Sequence, residues 1–478
     1  MSIFLLFVLH HLLSVPIVPS QSQGSSAVTQ TPTPPLPAKV IDVGSPGDIT
    51  LPPPKKIDPL LTKPVSANEA AAIAILRQPS LKVAEDAVQA AHGLVLQAQS
   101  GLYPTTTLSS GYTYTTKLGH LSTSSTNNGS GASQNQTLSG FANQLQISQL
   151  IFDFGKTADA VNQAVASQRA TFELAEKSKS DLIFAVKQQY YLTTEASDQV
   201  KVDLVNLASN KAQLDLAKGN LKAGLGAPSD VVTAEANYDN SIQTLVQAKT
   251  TALIDRINLA ALIGVDPRTP IQFVPSSENI VPLKIDLSAK VAQALKNRPE
   301  ILAAEESLKS SNYGLSSAKK GLLPSLNLSL NAATRGSVEP FSTDTTSAGI
   351  SLSWPLENGG LTQGKVEQAR ALADESRESL IGTQISTISD VSTAYANLES
   401  SITRFASAQA AVTNAELALK LAEGRYKAGV ALFTEITLAQ ASLATAQSNL
   451  LNDRASYEIA IAQLNHAVGS PLNFTLRP

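Results

Sequence analysis

Gly359-Gly360-Leu361-Thr362-Gln363-Gly364-Lys365 has the glycine and lysine spacing that cradles a nucleotide phosphate, and it precedes a helical stretch. The next residue is Val366, where a magnesium-binding hydroxyl belongs. The stretch therefore reads as a corner between a strand and a helix. A related stretch, Phe154-Gly155-Lys156-Thr157, lacks the leading glycines and reads the same way. The chain has no cysteine, which excludes thiol catalysis, disulfides, thiolate metal sites and a lipidated N-terminal cysteine. Of five histidines, His10 and His11 lie in an apolar leader, while His92, His120 and His466 stand alone without metal-ligand spacing. Asp230 and Glu435 stand near helix starts, where the dipole favours an acid by about 0.3–1 kcal/mol. None of these residues forms a catalytic set, and the chain reads as a protein that is not an enzyme and uses no cofactor or metal.

With 478 residues, a net charge of −3 and 16% charged residues, the chain has no basic field for nucleic acid. Its organisation comes from long helices. Val200, Leu207, Leu214 and Leu221 recur every seven residues before Lys222-Ala223-Gly224-Leu225-Gly226, which reads as a coiled-coil seam and a turn. Past Pro228, which suits a first helical position, Val231, Tyr238, Leu245, Ala252 and Leu259 keep the same step. Adding 205 to these positions reaches Phe405, Val412, Leu419 and Tyr426, then Gly429, then Ile436, Leu443, Leu450, Tyr457 and Leu464. This is an internal repeat of a helical hairpin, expected over 156–264 and 361–469. Tyr238 and Tyr426 fall on the seven-residue steps and read as packing residues.

In chain order, residues 1–20 read as a secretory signal, with a retained anchor as the alternative, because no Lys or Arg precedes the apolar run. Residues 21–65 are rich in Pro, Ser and Thr and read as an extended strap. Ser66 with Glu69 makes a capping box, Pro79 breaks and restarts the helix, and Asp286 and Pro299 are their counterparts 220 residues later. Pro104 and Pro324 end these helices and alternation begins. Leu326, Leu328, Leu330 and Ala332 alternate with polar residues, as do Ala348, Ile350, Leu352 and Trp354. The first half does the same with Tyr112 and Tyr114, and with Phe141, Leu145 and Ile147. Strands are expected at about 104–116, 140–152, 324–334 and 346–356. The change of offset from 220 to 205 places 15 extra residues in the polar Gly119 to Gly140 loop. Repeat 1 is read as 66–270, an equatorial linker as 271–285 and repeat 2 as 286–478.

An apolar sheet face needs a cover, and the helices use their apolar positions for their own seams. In a bilayer the alternative is a closed barrel, which four strands cannot form alone. A trimer supplying twelve strands is the natural count. At this point the chain resembles the TolC-like family of trimeric outer-membrane efflux proteins. The resemblance runs from Ser66 to Leu472. It rests on the Pro79 and Pro299 helix starts, Pro104 and Pro324 before the strands, and Leu150-Ile151-Phe152-Asp153-Phe154-Gly155. It rests also on Pro355-Leu356-Glu357-Asn358-Gly359-Gly360 and the two hairpin turns.

The resemblance implies a mainly α fold with a membrane β-barrel: two pseudo-symmetric repeats per chain, three chains forming a 12-stranded β-barrel on a 12-helix α-barrel tunnel. It implies an exit duct in the outer membrane with a long periplasmic extension, serving a tripartite efflux pump or a type I secretion system. The expected partners are a homotrimer, a periplasmic adaptor, an inner-membrane pump and outer-membrane lipid. The alternative reading is a periplasmic coiled-coil adaptor or a structural envelope protein. The expected periplasmic aperture comprises Asp230, Glu435, Lys222, Arg425 and Lys427, with opposite charges latching the tips. The adaptor-docking turns are Gly224, Leu225, Gly429 and Val430, and the strand-to-helix corners are Gly155, Gly359 and Gly360. In some family members a further acid stands three residues after the first; here Thr233 and Leu438 occupy those places.

Overall fold

The elements run α1 (Ala67–Arg77), α2 (Pro79–Ser100), β1 (Thr105–Thr116), β2 (Thr137–Phe152), α3 (Lys156–Lys222) and α4 (Pro228–Ile263). They continue with α5 (Leu287–Asn297), α6 (Pro299–Lys319), β3 (Ser325–Ser337), β4 (Ser342–Ser353), α7 (Leu361–Lys427) and α8 (Phe433–Ala467). The computed structural model describes residues 52, 63–116, 137–274, 285–337 and 342–469, all within one unit of the chain, Gly47–Pro478. The signal, nearly all of the strap, His120, most of the Gly119 to Gly140 loop, most of the 271–285 linker and the last residues lie outside the described residues.

The helix starts follow local chemistry. Glu69 accepts from the Ser66 backbone N–H at 2.8 Å while the Glu69 N–H donates to Ser66 Oγ at 3.3 Å, which closes a capping box. Asp286 caps α5 by accepting from the Ser288 N–H at 2.9 Å. Gln78 and Arg298 are extended, as the residue before a proline must be, so Pro79 and Pro299 each open a new helix. The two 67-residue helices, α3 and α7, are each about 100 Å long at 1.5 Å per residue. No described helix is both long and apolar enough to cross a membrane.

Each long helix folds back on a shorter partner, α3 on α4 and α7 on α8, and α3 also meets α8, α6 and α2. The seam residues Leu214, Leu245, Leu259, Phe405, Ile436, Leu443, Tyr457 and Leu464 are buried. Leu221 departs from the seam and is exposed, because the hairpin is already turning there. The far end of α4 stops against the α1–α2 break: Gly264 sits at φ +80°, and a Cβ on it would lie 2.9 Å from the Arg77 carbonyl carbon. Gly469, after α8, makes the same close approach to the backbone of Arg298. The short helices therefore meet near the middle of the long ones.

An apolar core fills that level. Val65, Ile73, Ile183, Val186, Leu259 and Ile263 are buried together, and Val65 pairs in parallel with Phe273. The Tyr190 hydroxyl donates to the Val65 carbonyl at 2.9 Å, pinning the chain that enters α1. A second cluster joins α5, α7 and α8 through Ala294, Val391, Leu398 and Leu464.

The four strands form one antiparallel sheet in the order β1-β2-β3-β4. Register puts Leu108 opposite Leu145 and Tyr112 opposite Phe141; Ile147 faces Leu330, and Leu328 faces Ile350. With a side-chain period of two, all of these lie on one face. Ser109, Gln144, Ala333 and Thr345 line the other. A bulge between Leu150 and Phe152 ends the β2–β3 ladder.

Candidate functional site

Two regions have geometry beyond packing: the sheet with its corners, and the hairpin tips. On the sheet, the apolar face is bare. Leu108 is 74% exposed, Ile350 71% and Leu352 66%, and Tyr112, Tyr114 and Trp354 are exposed as well. A monomer in water would hold this face at a steep hydrophobic cost, since it forms a continuous patch over all four strands. Among the described residues β1 pairs only with β2 and β4 only with β3, so both outer edges keep unpaired backbone groups.

The corners fix the sheet to the helices. Asp153 accepts from the Gly155 N–H at 3.0 Å, the Thr157 N–H at 2.7 Å and the Thr157 hydroxyl at 2.5 Å, capping α3. Burial pushes the Asp153 carboxyl up, but these donors outweigh it and hold the group below the usual carboxylate range. Asn358 does the same for α7, accepting from the Thr362 N–H at 3.2 Å and donating to the Thr362 hydroxyl at 2.7 Å. Gly155 at φ +78° and Gly360 at φ +82° carry the left-handed turns before the helices, with Gly359 at +61° beside Gly360. The phosphate-loop spacing is thus spent on a helix cap. Gln149 Nε2 donates to the Leu102 carbonyl at 3.0 Å, and Trp354 Nε1 donates to that of Leu322 at 3.1 Å. Lys320 joins the two halves here, with Nζ 2.6 Å from Asp159 Oδ2 and donating to the Gly155 carbonyl at 3.3 Å.

At the other end Gly224 and Gly429 both sit at φ +74°, closing α3 and α7 in left-handed caps. The Leu225 N–H returns to the Asn220 carbonyl at 2.9 Å and the Val430 N–H to the Arg425 carbonyl at 3.1 Å. Leu225 and Val430 project outward, 82% and 67% exposed. Under the tips, Leu214, Ala217, Ala234, Ala422, Phe433 and Ile436 form a buried cluster that joins both hairpins.

The five charged residues expected at the aperture do not all meet. Arg425 Nη1 lies 3.0 Å from Glu435 Oε2, both well exposed. Among the described residues Asp230, Lys222 and Lys427 make no ion pair. In the first hairpin the pair is instead Lys218 with Glu235, at 3.7 Å. Of these five residues only Arg425 and Glu435 pair, because Asn220 stands 205 residues before Arg425 and leaves Asp230, the counterpart of Glu435, without a base at the matching place. A neutral link accompanies the ion pair: Asn220 Nδ2 donates to Tyr426 Oη at 3.1 Å, and the Tyr426 ring packs edge-on to Phe433 at 5.8 Å. Tyr426 packs, as its seven-residue step implies, but its bond to Asn220 joins residues 206 apart and leaves no periodic trace.

No group of three or more metal-ligating side chains occurs among the described residues. Comparison with known proteins places the arrangement. The chain is 24% identical over 451 residues to Nodulation protein T of Rhizobium leguminosarum bv. trifolii, covering 92% of this chain and 93% of that one. It is 24% identical over 417 residues to Outer membrane protein TolC of Escherichia coli (strain K12), covering 83% of this chain and 80% of TolC. The crystal structure of the outer membrane protein VceC from Vibrio cholerae has the same fold, with a TM-score of 0.72 at 20% identity over 85% of this chain and 97% of VceC. The family model described as Outer membrane efflux protein matches residues 71–265 and 291–470, spanning both helical hairpins and all four strands. The chain belongs to the outer membrane efflux protein family.

Proposed function

We propose that three copies of this chain close one conduit, an exit duct of the outer membrane that conducts cargo passively from an inner-membrane pump to the exterior. The observation that carries this is the sheet, with a bare apolar face across four strands and an unpaired edge on each side. In a bilayer both features are satisfied at once if β1 of one copy pairs with β4 of the next, because the edges vanish and the apolar face meets lipid. Three copies supply twelve strands. The helices supply twelve columns, since each copy offers α3, α7, α2 in line with α4, and α6 in line with α8.

The two halves, 66–270 and 286–478, then act as pseudo-symmetric repeats joined by the linker 271–285, behind a cleaved signal 1–20 and a strap 21–65. Matching corner bonds at Gln149 and Trp354, and matching caps at Asp153 and Asn358, support that division. The periplasmic aperture is assigned to the tips, with Arg425, Glu435, Asp230, Lys222 and Lys427 around it. Gly224, Leu225, Gly429 and Val430 are the surface for a periplasmic adaptor, which links the duct to an efflux pump or a type I secretion system. Leu225 and Val430 give that surface exposed apolar anchors. Cell fractionation tests the reading: the protein is expected in the outer membrane, released only by detergent. Recovery as a soluble periplasmic protein would contradict it.

A further inference from the structure

Between α3, α4 and α8 the bundle is not filled. A cavity of about 420 Å³ lies there, lined by fifteen residues among which Asp203 is the sole ionisable one. Seven of the others carry side-chain amides, including Gln199 and Asn206 on α3, Asn237 and Asn240 on α4, and Gln440 on α8. Asp203 is only 5% exposed. Its Oδ1 accepts from Gln199 Nε2 at 3.0 Å. Asp203 Oδ2 and Gln199 Oε1 are both buried and have no hydrogen-bond donor among the described residues. The opposite wall is held in place: Gln440 Nε2 donates to Asn206 Oδ1 at 3.3 Å, and Ser209 Oγ donates to Gln440 Oε1 at 3.2 Å.

The chemistry of this cavity is one-sided. The two free oxygens have almost no surface open to water, and the carboxylate is buried without a counter-charge, since none of the lining residues is basic. Burial accordingly holds the Asp203 carboxyl above its usual value. The nearest lysine in sequence, Lys201, is mostly solvent-exposed and pairs with Asp198 at 2.7 Å. A single carboxylate among neutral amide oxygens is a hard, oxygen-rich donor set of charge −1, matched by one positive charge. The space is ample for an ion that keeps part of its hydration shell. We propose that this cavity binds one small monovalent cation per chain, neutralised by Asp203 and coordinated by the side-chain oxygens around it. An alkali ion and a primary ammonium head share that chemistry.

The site is tested on the full-length protein purified in detergent and exchanged into a buffer free of alkali ions and primary amines. Equilibrium binding of radioactive rubidium is expected to saturate at one ion per chain and to be displaced by potassium. Asp203→Asn, which keeps the shape and removes the charge, is expected to weaken binding at least tenfold. Ala444→Leu, which narrows the cavity and leaves Asp203 in place, is expected to do the same. Displacement by methylammonium would extend the site to organic amines, and failure of methylammonium alongside displacement by potassium would restrict it to metal ions; both support the cavity as a cation site. The proposal is overturned if the parent binds no rubidium, or if binding is unchanged in Asp203→Asn. It is also overturned if an infrared carboxylic-acid band assigned by loss in Asp203→Asn persists at neutral pH under saturating rubidium, since the charge would then be removed by a proton.

Discussion

Asn220 Nδ2 donates to Tyr426 Oη at 3.1 Å, so the last turn of α3 in one hairpin is tied to the last turn of α7 in the other. Any motion that widens the tips relative to each other must break this bond or carry both hairpins together. Tyr426→Phe removes the hydroxyl and leaves the ring against Phe433, at an expected cost of about 0.5–1.5 kcal/mol in tip stability. The expected outcome in planar bilayers is a larger single-channel conductance than the parent, with an unchanged oligomer. Equal conductance would assign the tyrosine to packing alone.

The Arg425–Glu435 pair works in a different way. It is exposed, so each copy contributes at most about 1 kcal/mol and salt screens it. Glu435→Gln is expected to raise conductance at low salt and to match the parent at high salt. Asp230→Asn, whose carboxylate pairs with no described basic residue, is expected to leave that salt dependence in place. Identical behaviour of both variants at every salt concentration would remove the ion pair from any gating role.

The two long helices begin with different caps, and pH separates them. The native Asp153 carboxyl titrates below its unfolded value, so its contribution is fully present above the unfolded carboxylate range, near pH 4, and is lost as pH falls through the depressed native value. Asn358 does not titrate. Hydrogen exchange is expected to show the first-turn amides of α3 losing protection on acidification while those of α7 keep theirs. Asp153→Asn is expected to abolish the difference.

Two glycines with similar backbone angles separate conformational strain from steric exclusion. Gly224 has open space where a Cβ would sit, whereas at Gly264 that atom would strike the Arg77 carbonyl. Gly224→Ala is expected to cost about 1 kcal/mol for the left-handed conformation, and Gly264→Ala about 3 kcal/mol because the helix ends must also separate. Thermal unfolding of the two variants checks the order.

These features differ in how readily they are read from the chain. The long helices were legible to the residue, since Gly155 and Gly360 sit just before them and the seven-residue steps run up to Lys222 and Lys427. The strand faces were legible because alternation is a local signal. Leu221 misled because a heptad step says nothing of where the partner helix has already turned away. Asn220 and Gln440 carry no periodic signal, and their roles come from bonds between hairpins more than 200 residues apart in the chain, to Tyr426 and from Ser209; Asp203 bonds Gln199 one turn away, and its burial comes from the packing of α3 beside α4 and α8. The charged aperture set was legible in composition only. Arg425 and Glu435 meet, while their counterparts 205 residues earlier are Asn220 and Asp230, a pair that lacks the base.

The central claim is that β1 and β4 are edges waiting for neighbouring copies. The mass of the detergent-purified complex, corrected for bound detergent, tests it most directly. The account predicts a single species of three chains, each of at most 50.1 kDa, with its strand content intact. A monodisperse monomer that retains all four strands would contradict it, because the unpaired edges and the bare apolar face would then be stable without partners.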